Sequence, residues 1–446
     1  MIGTRRLDFD VKYNNLPLDE QIGAEVEEMT YTDSASDNSD SIDITLNARD
    51  SKWVLGWMPN KGATLNPTVR AKHWETEGNS VTFFCGLFTL DDLSYSDLPT
   101  TLKMGGVSKP GNTDFSDLER ENVWKNTSLK RIGSDIAGRY GLEFAYDADD
   151  YEIESDEQDA ADGSYYNNLC KRYGLILKIY ANKLWVYDRE RYKEKPAVKT
   201  YDRKDIILGS FSYTTTLSGS FTGGYFTYTD ADKDVDIKCS IGGGPRTKSL
   251  SQRATSVQDA SIQLCAALNE ANHEITKISF KVPGAWFLSA GNNIMLTGYG
   301  NLNGKYHVNK MTHSFSKSGG YTTAFECSLI APPFYHWNVG GTIEKHTGNK
   351  KSTENYTSSY ETTSPSANAD SKAAGAKAGA AVKLSNAPFY YTSVIGNPSC
   401  YKSGTFYFYD GILINGRYRM TNTAARCGKL PVGKNVTGWV PASYCV

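Results

Sequence analysis

Leu7, Phe9, Val11 and Tyr13 alternate with Asp8, Asp10 and Lys12, a period of two that predicts a strand with one face in a core and one in water. Asn14-Asn15 follows, residues that accept left-handed backbone angles, so a hairpin turn is expected. The alternation returns at Ile42, Ile44 and Leu46, and densely over residues 81–88. Residues 1–112 therefore read as a compact β unit with no strong helix.

The texture changes at Trp124. Leu129, Ile132, Ile136 and Tyr140 recur at helical spacing, with Gly141 placed to end the helix. Tyr165, Leu169 and Tyr173 repeat the pattern and Gly174 closes it; residues 176–186 then read as a β-hairpin turning at Ala181-Asn182. Residues 113–200 thus hold two helix-then-strand modules, each too small to bury a core alone and expected to lean on a larger body. Strand texture resumes at Ile206 and runs through Tyr228. A helix is predicted near residues 256–272, where Val257, Ala260, Leu264, Ala267 and Leu268 form an apolar stripe with Ile262 to one side. Strands are expected at 276–282, 293–297, 306–315 and 321–330, completing a second β unit over 201–338.

Residues 339–386 are dominated by Ser, Thr, Asn, Lys, Gly and Ala and read as a mobile linker, because so few large apolar side chains cannot offset the entropy of ordering. From 387 to 446 the chain is apolar and aromatic again: a strand at 405–409, a turn at Asp410-Gly411 and a strand at 416–420 describe a small separate β domain. It is basic, with Lys402, Arg417, Arg419, Arg426, Lys429 and Lys434 against Asp410 after residue 386.

Composition sharpens this picture of a mainly β, α+β chain. Among 446 residues are 29 Tyr, 17 Phe, 8 Trp and 40 Gly, which suits many short strands and tight turns. Forty-eight basic residues against 50 acidic ones give no global excess of positive charge for gripping duplex DNA. No apolar run has the length of a membrane span, and the first residues lack a secretory h-region, so synthesis in the cytosol is expected. Eight scattered cysteines without a CxxC pair read as reduced thiols.

Candidate chemistry is sparse. Asp230, Asp232, Asp234 and Asp236 resemble the opening of a calcium loop, but Val235 stands where a glycine is needed and Ile241 where a bidentate Glu should be, so a polar strand end is the reading. Nine carboxylates between Asp147 and Asp162 read as a solvated or docking face. His307 and His313 are six apart, about 20 Å along a strand, too far for one metal. No nucleophile elbow, phosphate loop or HExxH occurs, so no catalytic residue, metal site or cofactor is assigned. In the last domain Arg417 and Arg419 lie two apart on one strand face. With Tyr407, Tyr409 and Trp439 they form the candidate ligand or partner surface.

The order of several segments resembles the phage late control D family, central hub proteins of contractile-tail baseplates. The residues carrying it begin with Ser39-Asp40-Ser41-Ile42-Asp43-Ile44-Thr45-Leu46, Lys61-Gly62 and Cys85-Gly86-Leu87-Phe88-Thr89-Leu90-Asp91-Asp92. It continues through Trp124-Lys125-Asn126-Thr127-Ser128-Leu129, Tyr140-Gly141-Leu142, Tyr173-Gly174-Leu175 and Lys183-Leu184-Trp185-Val186-Tyr187-Asp188, and closes with Ala290-Gly291-Asn292 and Gly304-Lys305-Tyr306-His307-Val308. The match spans roughly residues 5–335; it departs from the family at Ala161-Asp162 and Tyr166. The resemblance implies a homotrimer with two tube-like β-barrels per subunit, adapting a six-fold tail tube to a three-fold central spike. Implied partners are the tube ring, the spike and neighbouring baseplate proteins. Assembly in the bacterial host cytoplasm and a place in a virion or phage-tail-like bacteriocin are implied as well. Ser403-Gly404-Thr405-Phe406-Tyr407 and Gly438-Trp439-Val440-Pro441 resemble a bacterial SH3-like domain, which implies binding of cell-wall peptide or of a neighbouring baseplate protein. The competing expectations are a cell-wall-targeted peptidoglycan hydrolase anchored by this tail, and a receptor-binding adhesin.

Overall fold

A computed structural model describes residues 4–14, 16–17, 25–36, 39–49, 53–74, 76–97, 99–110, 113–231, 233–347, 350–357, 377–390, 400–414, 417–429 and 436–445. The chain separates into two units, Met1–Ser359 and Tyr360–Val446.

The first strand forms as its alternation requires. Arg6–Tyr13 buries Leu7, Phe9 and Val11 and turns through Asn14, at φ 48°, to pair with Leu16–Pro17. It belongs to a sheet of 14 strands. In spatial order its main path is Ser212–Thr215, Thr276–Val282, Gly320–Leu329, Gly304–Ser316, Val26–Ser34, Ser41–Asn47, Thr100–Val107, Phe88–Asp97, Thr64–Lys72, Arg6–Tyr13 and Leu16–Pro17. Ser80–Phe84 adds beside Thr64–Lys72, Asn293–Thr297 beside Gly304–Ser316, and Lys199–Asp202 beside Asn293–Thr297.

This corrects the expectation of two separate β-barrels. The two β units are halves of one sheet, which is not closed into a barrel. They join where Val26–Ser34 pairs antiparallel with Gly304–Ser316, Tyr31 opposite His313 and Met29 opposite Phe315. Tyr31 stacks on His313 at 5.7 Å between ring centroids, and Phe83 packs on both His313 and Phe315. Alternation reports which face of a strand is buried but not which strand lies beside it.

Between the halves, residues 113–200 form one module rather than two. Helix Leu129–Arg139 starts at Ser128, whose hydroxyl accepts from the Arg131 N–H, and ends before Gly141 at φ +64°. Helix Asp162–Arg172 ends before Gly174 at φ +74°. Leu175–Tyr180 and Lys183–Asp188 make the expected hairpin, turning through Ala181 and Asn182 at φ 46° and 60°. Glu143–Asp147 then adds parallel to Lys183–Asp188, so both helices and the three strands share one core. The module does lean on the large sheet. The Ser108 hydroxyl donates to the Ile179 carbonyl at 2.6 Å, and the Tyr187 hydroxyl to the Ala35 carbonyl at 2.6 Å.

Helix Val257–His273 covers a second sheet of five strands, ordered Thr247–Leu250, Gly223–Asp230, Val235–Gly242, Gly340–Thr347 and Lys350–Thr357. Ile262, off the main stripe, packs against the core of the 113–200 module. The last two strands correct the linker boundaries, because residues 340–347 and 350–357 were expected to be mobile. Composition misled here because the hairpin is held by backbone pairing to Val235–Gly242 more than by apolar burial. Gly341 is required at the crossing, where a Cβ would lie 2.3 Å from Val257 Cγ1.

The second unit is a four-stranded antiparallel sheet, Ala381–Phe389, Cys400–Ile414, Arg417–Thr421 and Gly438–Pro441, around Leu384, Phe389, Phe406, Phe408, Tyr418, Met420 and Val440. Its first strand starts inside the expected linker. Asp410-Gly411, expected to be a turn between strands, lies in a bulge within Cys400–Ile414; Gly411 is at φ 69° and the Asp410 carboxylate accepts from the Ile412 N–H. The two edge strands meet at one bridge, with Tyr390 and Trp439 exchanging backbone hydrogen bonds of 2.8 and 2.9 Å.

Candidate functional site

Strand Arg417–Thr421 lies between Cys400–Ile414 and Gly438–Pro441, so both of its backbone edges are paired. Tyr418 and Met420 point into the core, which leaves Arg417 and Arg419 on the opposite face. Register places Trp439 beside Arg419, Tyr390 beside Trp439, and Tyr407 beside Thr421. Four of the five sequence-predicted residues, Tyr407, Arg417, Arg419 and Trp439, therefore share this outer face. Tyr409 does not join them: it is buried, and its hydroxyl donates to the Lys429 carbonyl at 2.6 Å. The bulge after Phe408 breaks the alternation that would have kept Tyr409 in line with Tyr407.

The arginines are held by rings. The Arg417 guanidinium sits 3.4 Å from the centroid of Tyr390 and that of Arg419 4.9 Å from Trp439. Arg419 also pairs with Asp410 at 3.0 Å. Partial burial lowers the pKa of Arg417 from its ordinary value. Lys383 is exposed and, through the pairing of Lys383 with Thr405 two places from Tyr407, falls on the same face. Tyr390, Lys383 and Asp410 were missed because their places depend on register across strands. Among the described residues of this unit, Asp410 is the only carboxylate, against Lys377, Lys383, Lys402, Arg417, Arg419, Arg426 and Lys429.

Elsewhere the candidates take structural places. His307 and His313 are both buried: the His307 Nδ1 lies 3.0 Å from the Asn293 Oδ1, and the His313 Nδ1 2.9 Å from the Tyr321 hydroxyl. The carboxylate run is not wholly a solvated face. Asp162 is fully buried and accepts from Arg139 (3.0 Å), Gln158 (2.7 Å) and Tyr140 (2.8 Å). Those partners hold its carboxyl below the ordinary value despite burial. Asp156, also buried, accepts from Arg172 at 2.6 Å and Tyr165 at 2.9 Å. Asp234 and Asp236 belong to the hairpin of Gly223–Asp230 and Val235–Gly242, where Asp236 accepts from Thr229 at 2.8 Å. Asp232 lies outside the described residues. Among those described, no group of three or more His, Cys, Asp or Glu side chains is arranged to hold a metal ion. Cys85, Cys170, Cys239, Cys265, Cys327, Cys427 and Cys445 are free thiols.

The large sheet offers a second kind of surface. At one end of its path, Ser212–Thr215 pairs on one side only among the described residues and is flanked by exposed apolar residues, Leu208 at 99% and Leu217 at 68%. Near the other end, Ser80–Phe84 also pairs on one side only among the described residues and presents Phe84 at 76% exposure. Single exposed apolar residues are ordinary, but apolar side chains at unpaired strand edges mark places where another chain can add.

Two solved structures share this architecture. A tail protein from Neisseria meningitidis MC58 superposes with a TM-score of 0.55 at 12% identity, covering 72% of this chain and 96% of that one. The 43 kDa tail protein of prophage MuSo2 from Shewanella oneidensis does so with a TM-score of 0.54 at 11% identity, covering 72% and 98%. The shared fold is that of tail proteins. At these identities the likeness establishes the fold alone. No protein-family model and no curated protein matches the chain. No helix among the described residues is long and apolar enough to cross a membrane.

Proposed function

We propose that this protein is a structural component of a phage tail or phage-tail-like particle. In this proposal it is the central baseplate hub, a trimer that adapts the six-fold tail tube to the three-fold spike. The observation that carries the proposal is the open sheet, 14-stranded among the described residues, with an apolar-flanked strand near each end that is half-paired among those residues. An edge of one kind at one end and of another kind at the other suits head-to-tail association, which closes into a ring when the rotation per copy is right. Each subunit contributes two sheet halves, so three copies present six. The fold shared with two tail proteins supports the same role. The C-terminal unit is in this proposal an SH3-like module that binds a cell-wall or baseplate partner.

Sedimentation of the full chain tests the association, with three copies expected. Phe84→Asp and Leu217→Asp alter exposed side chains only; each is expected to lower the assembly to monomers without moving the melting temperature. A projection down the axis of an assembled baseplate with one copy at its centre would refute the hub. Clearing of purified peptidoglycan by this chain in a zymogram would replace it with the hydrolase.

A further inference from the structure

We propose that the outer face of the C-terminal unit binds an anionic polymer whose charges are phosphodiesters joined by small alcohols. The inference concerns this unit alone and stands or falls independently of the hub. Charge supplies the first argument: seven basic side chains meet one carboxylate among the described residues of a unit carried by a chain of net charge −2. Three of the seven, Lys383, Arg417 and Arg419, lie on the outer face. Arg417 and Arg419 are two residues apart, so their stems are separated by about 6.6 Å, an interval that successive phosphates on a short polyol can match. Each guanidinium rests on a ring, Arg417 on Tyr390 and Arg419 on Trp439, which restricts its motion before any ligand arrives. A planar guanidinium then meets a phosphate with two donors where a lysine offers a point charge.

The same contacts favour phosphates at the arginine pair. Sugars and nucleobases bind by stacking on open aromatic faces, and Tyr390 and Trp439 each already carry an arginine over one face of the ring. An acidic peptide brings backbone groups that need partners, and the strand between them, Arg417–Thr421, is paired along both edges. A chain of simple alcohol phosphates makes neither demand.

The test is binding of the full-length protein to immobilised poly(glycerol phosphate), with poly-L-glutamate, a single-stranded oligothymidylate and dextran alongside, at about 50 mM and about 200 mM salt. Saturable binding to poly(glycerol phosphate) is expected, weakened by the higher salt, and at least about tenfold tighter than to the other three. Arg417→Gln and Lys383→Gln are each expected to weaken it severalfold and to flatten its salt dependence, with unfolding curves unchanged. Arg419→Gln joins them if it melts like the wild type; if losing the Asp410 partner unfolds the unit, the other two carry the comparison. Absence of saturable binding, equal or tighter binding to polyglutamate or oligothymidylate, or unchanged affinity in Arg417→Gln and Lys383→Gln would each overturn the proposal.

Discussion

Lys178 is where the 113–200 module is pinned to the large sheet by charge, and its removal has a magnitude and a pH signature. The ammonium bonds the Asp33 carboxylate and lies 3.4 Å from Asp40; all three side chains are buried. Asp33 also accepts from the Ala290 N–H at 2.8 Å, and Asp40 from the Tyr31 hydroxyl at 2.9 Å and the Ser34 N–H at 3.2 Å. Burial, reinforced by the charge of Asp33, raises the Asp40 carboxyl to about 6 in spite of Lys178. Lys178→Met leaves two carboxylates facing each other without a cation, and breaking a buried pair in this way costs about 3–5 kcal/mol. With the cation that opposed this rise gone, the remaining pair sheds charge by taking up a proton at a higher pH than the wild-type pair does, and well above the unfolded chain's titration near 4. A raised folded pKa contributes stability that is present at low pH and lost as pH rises through it. The deficit of Lys178→Met is therefore expected to be greatest near pH 8 and to shrink toward pH 5. Denaturant melts of the full chain at both pH values read it directly. Asp33→Asn and Asp40→Asn added to Lys178→Met should recover most of the loss, because no uncompensated charge then remains. A deficit under about 1 kcal/mol at pH 8, or one that grows on acidification, would refute the assignment of Lys178 as the counter-charge.

Two glycines in one helix give a contrast: a Cβ on Gly133 would lie 2.1 Å from the Tyr166 hydroxyl oxygen, while one on Gly138 meets nothing within 4 Å. Gly133→Ala is expected to lose about 1–3 kcal/mol by overpacking and Gly138→Ala to gain up to about 1 kcal/mol, both read by chemical denaturation. The buried histidines set an acid limit. Burial lowers His307 to about 3 and His313 to about 4, and His273, beside Arg189 and Lys193, is lowered as well. Depressed folded values mean stability that is present above about pH 6.5 and lost below it, approaching about 1.4 kcal/mol per pH unit for each ring. His307→Gln should flatten the slope of stability between pH 5 and 6.5, and an unchanged slope would show that this ring does not contribute. Deleting residues 360–446 is expected to leave the melt of the first unit in place. A deletion from residue 341 should lower it, because Val235–Gly242 then loses the strand beside it.

Much of this protein was readable along the chain. Leu7, Phe9 and Val11 point inward as their spacing requires, and the two helices of the 113–200 module end at Gly141 and Gly174. The hairpin at Ala181-Asn182 and the helix at Val257–His273 also follow from local pattern. These features depend on residues within a few places of one another, where periodicity and backbone preference act. Pairing between distant segments was not readable. Val26–Ser34 against Gly304–Ser316 merges two expected barrels into one sheet, and Gly340–Thr347 leaves the expected linker to join Val235–Gly242. The candidate face shows the same division. The two-residue spacing put Arg417 and Arg419 together, whereas the bulge that buries Tyr409 and the bridge that brings in Tyr390 exist only once strands are placed side by side. Asp162 and Asp156 likewise look like part of a solvated acidic run until the fold closes Arg139 and Arg172 over them. Local sequence determined the strands, turns and helix ends, because short-range sterics and burial periodicity act within a few residues. Neighbours, counter-charges and free edges were decided by the tertiary structure, since backbone hydrogen bonds carry no mark of the residue that will accept them.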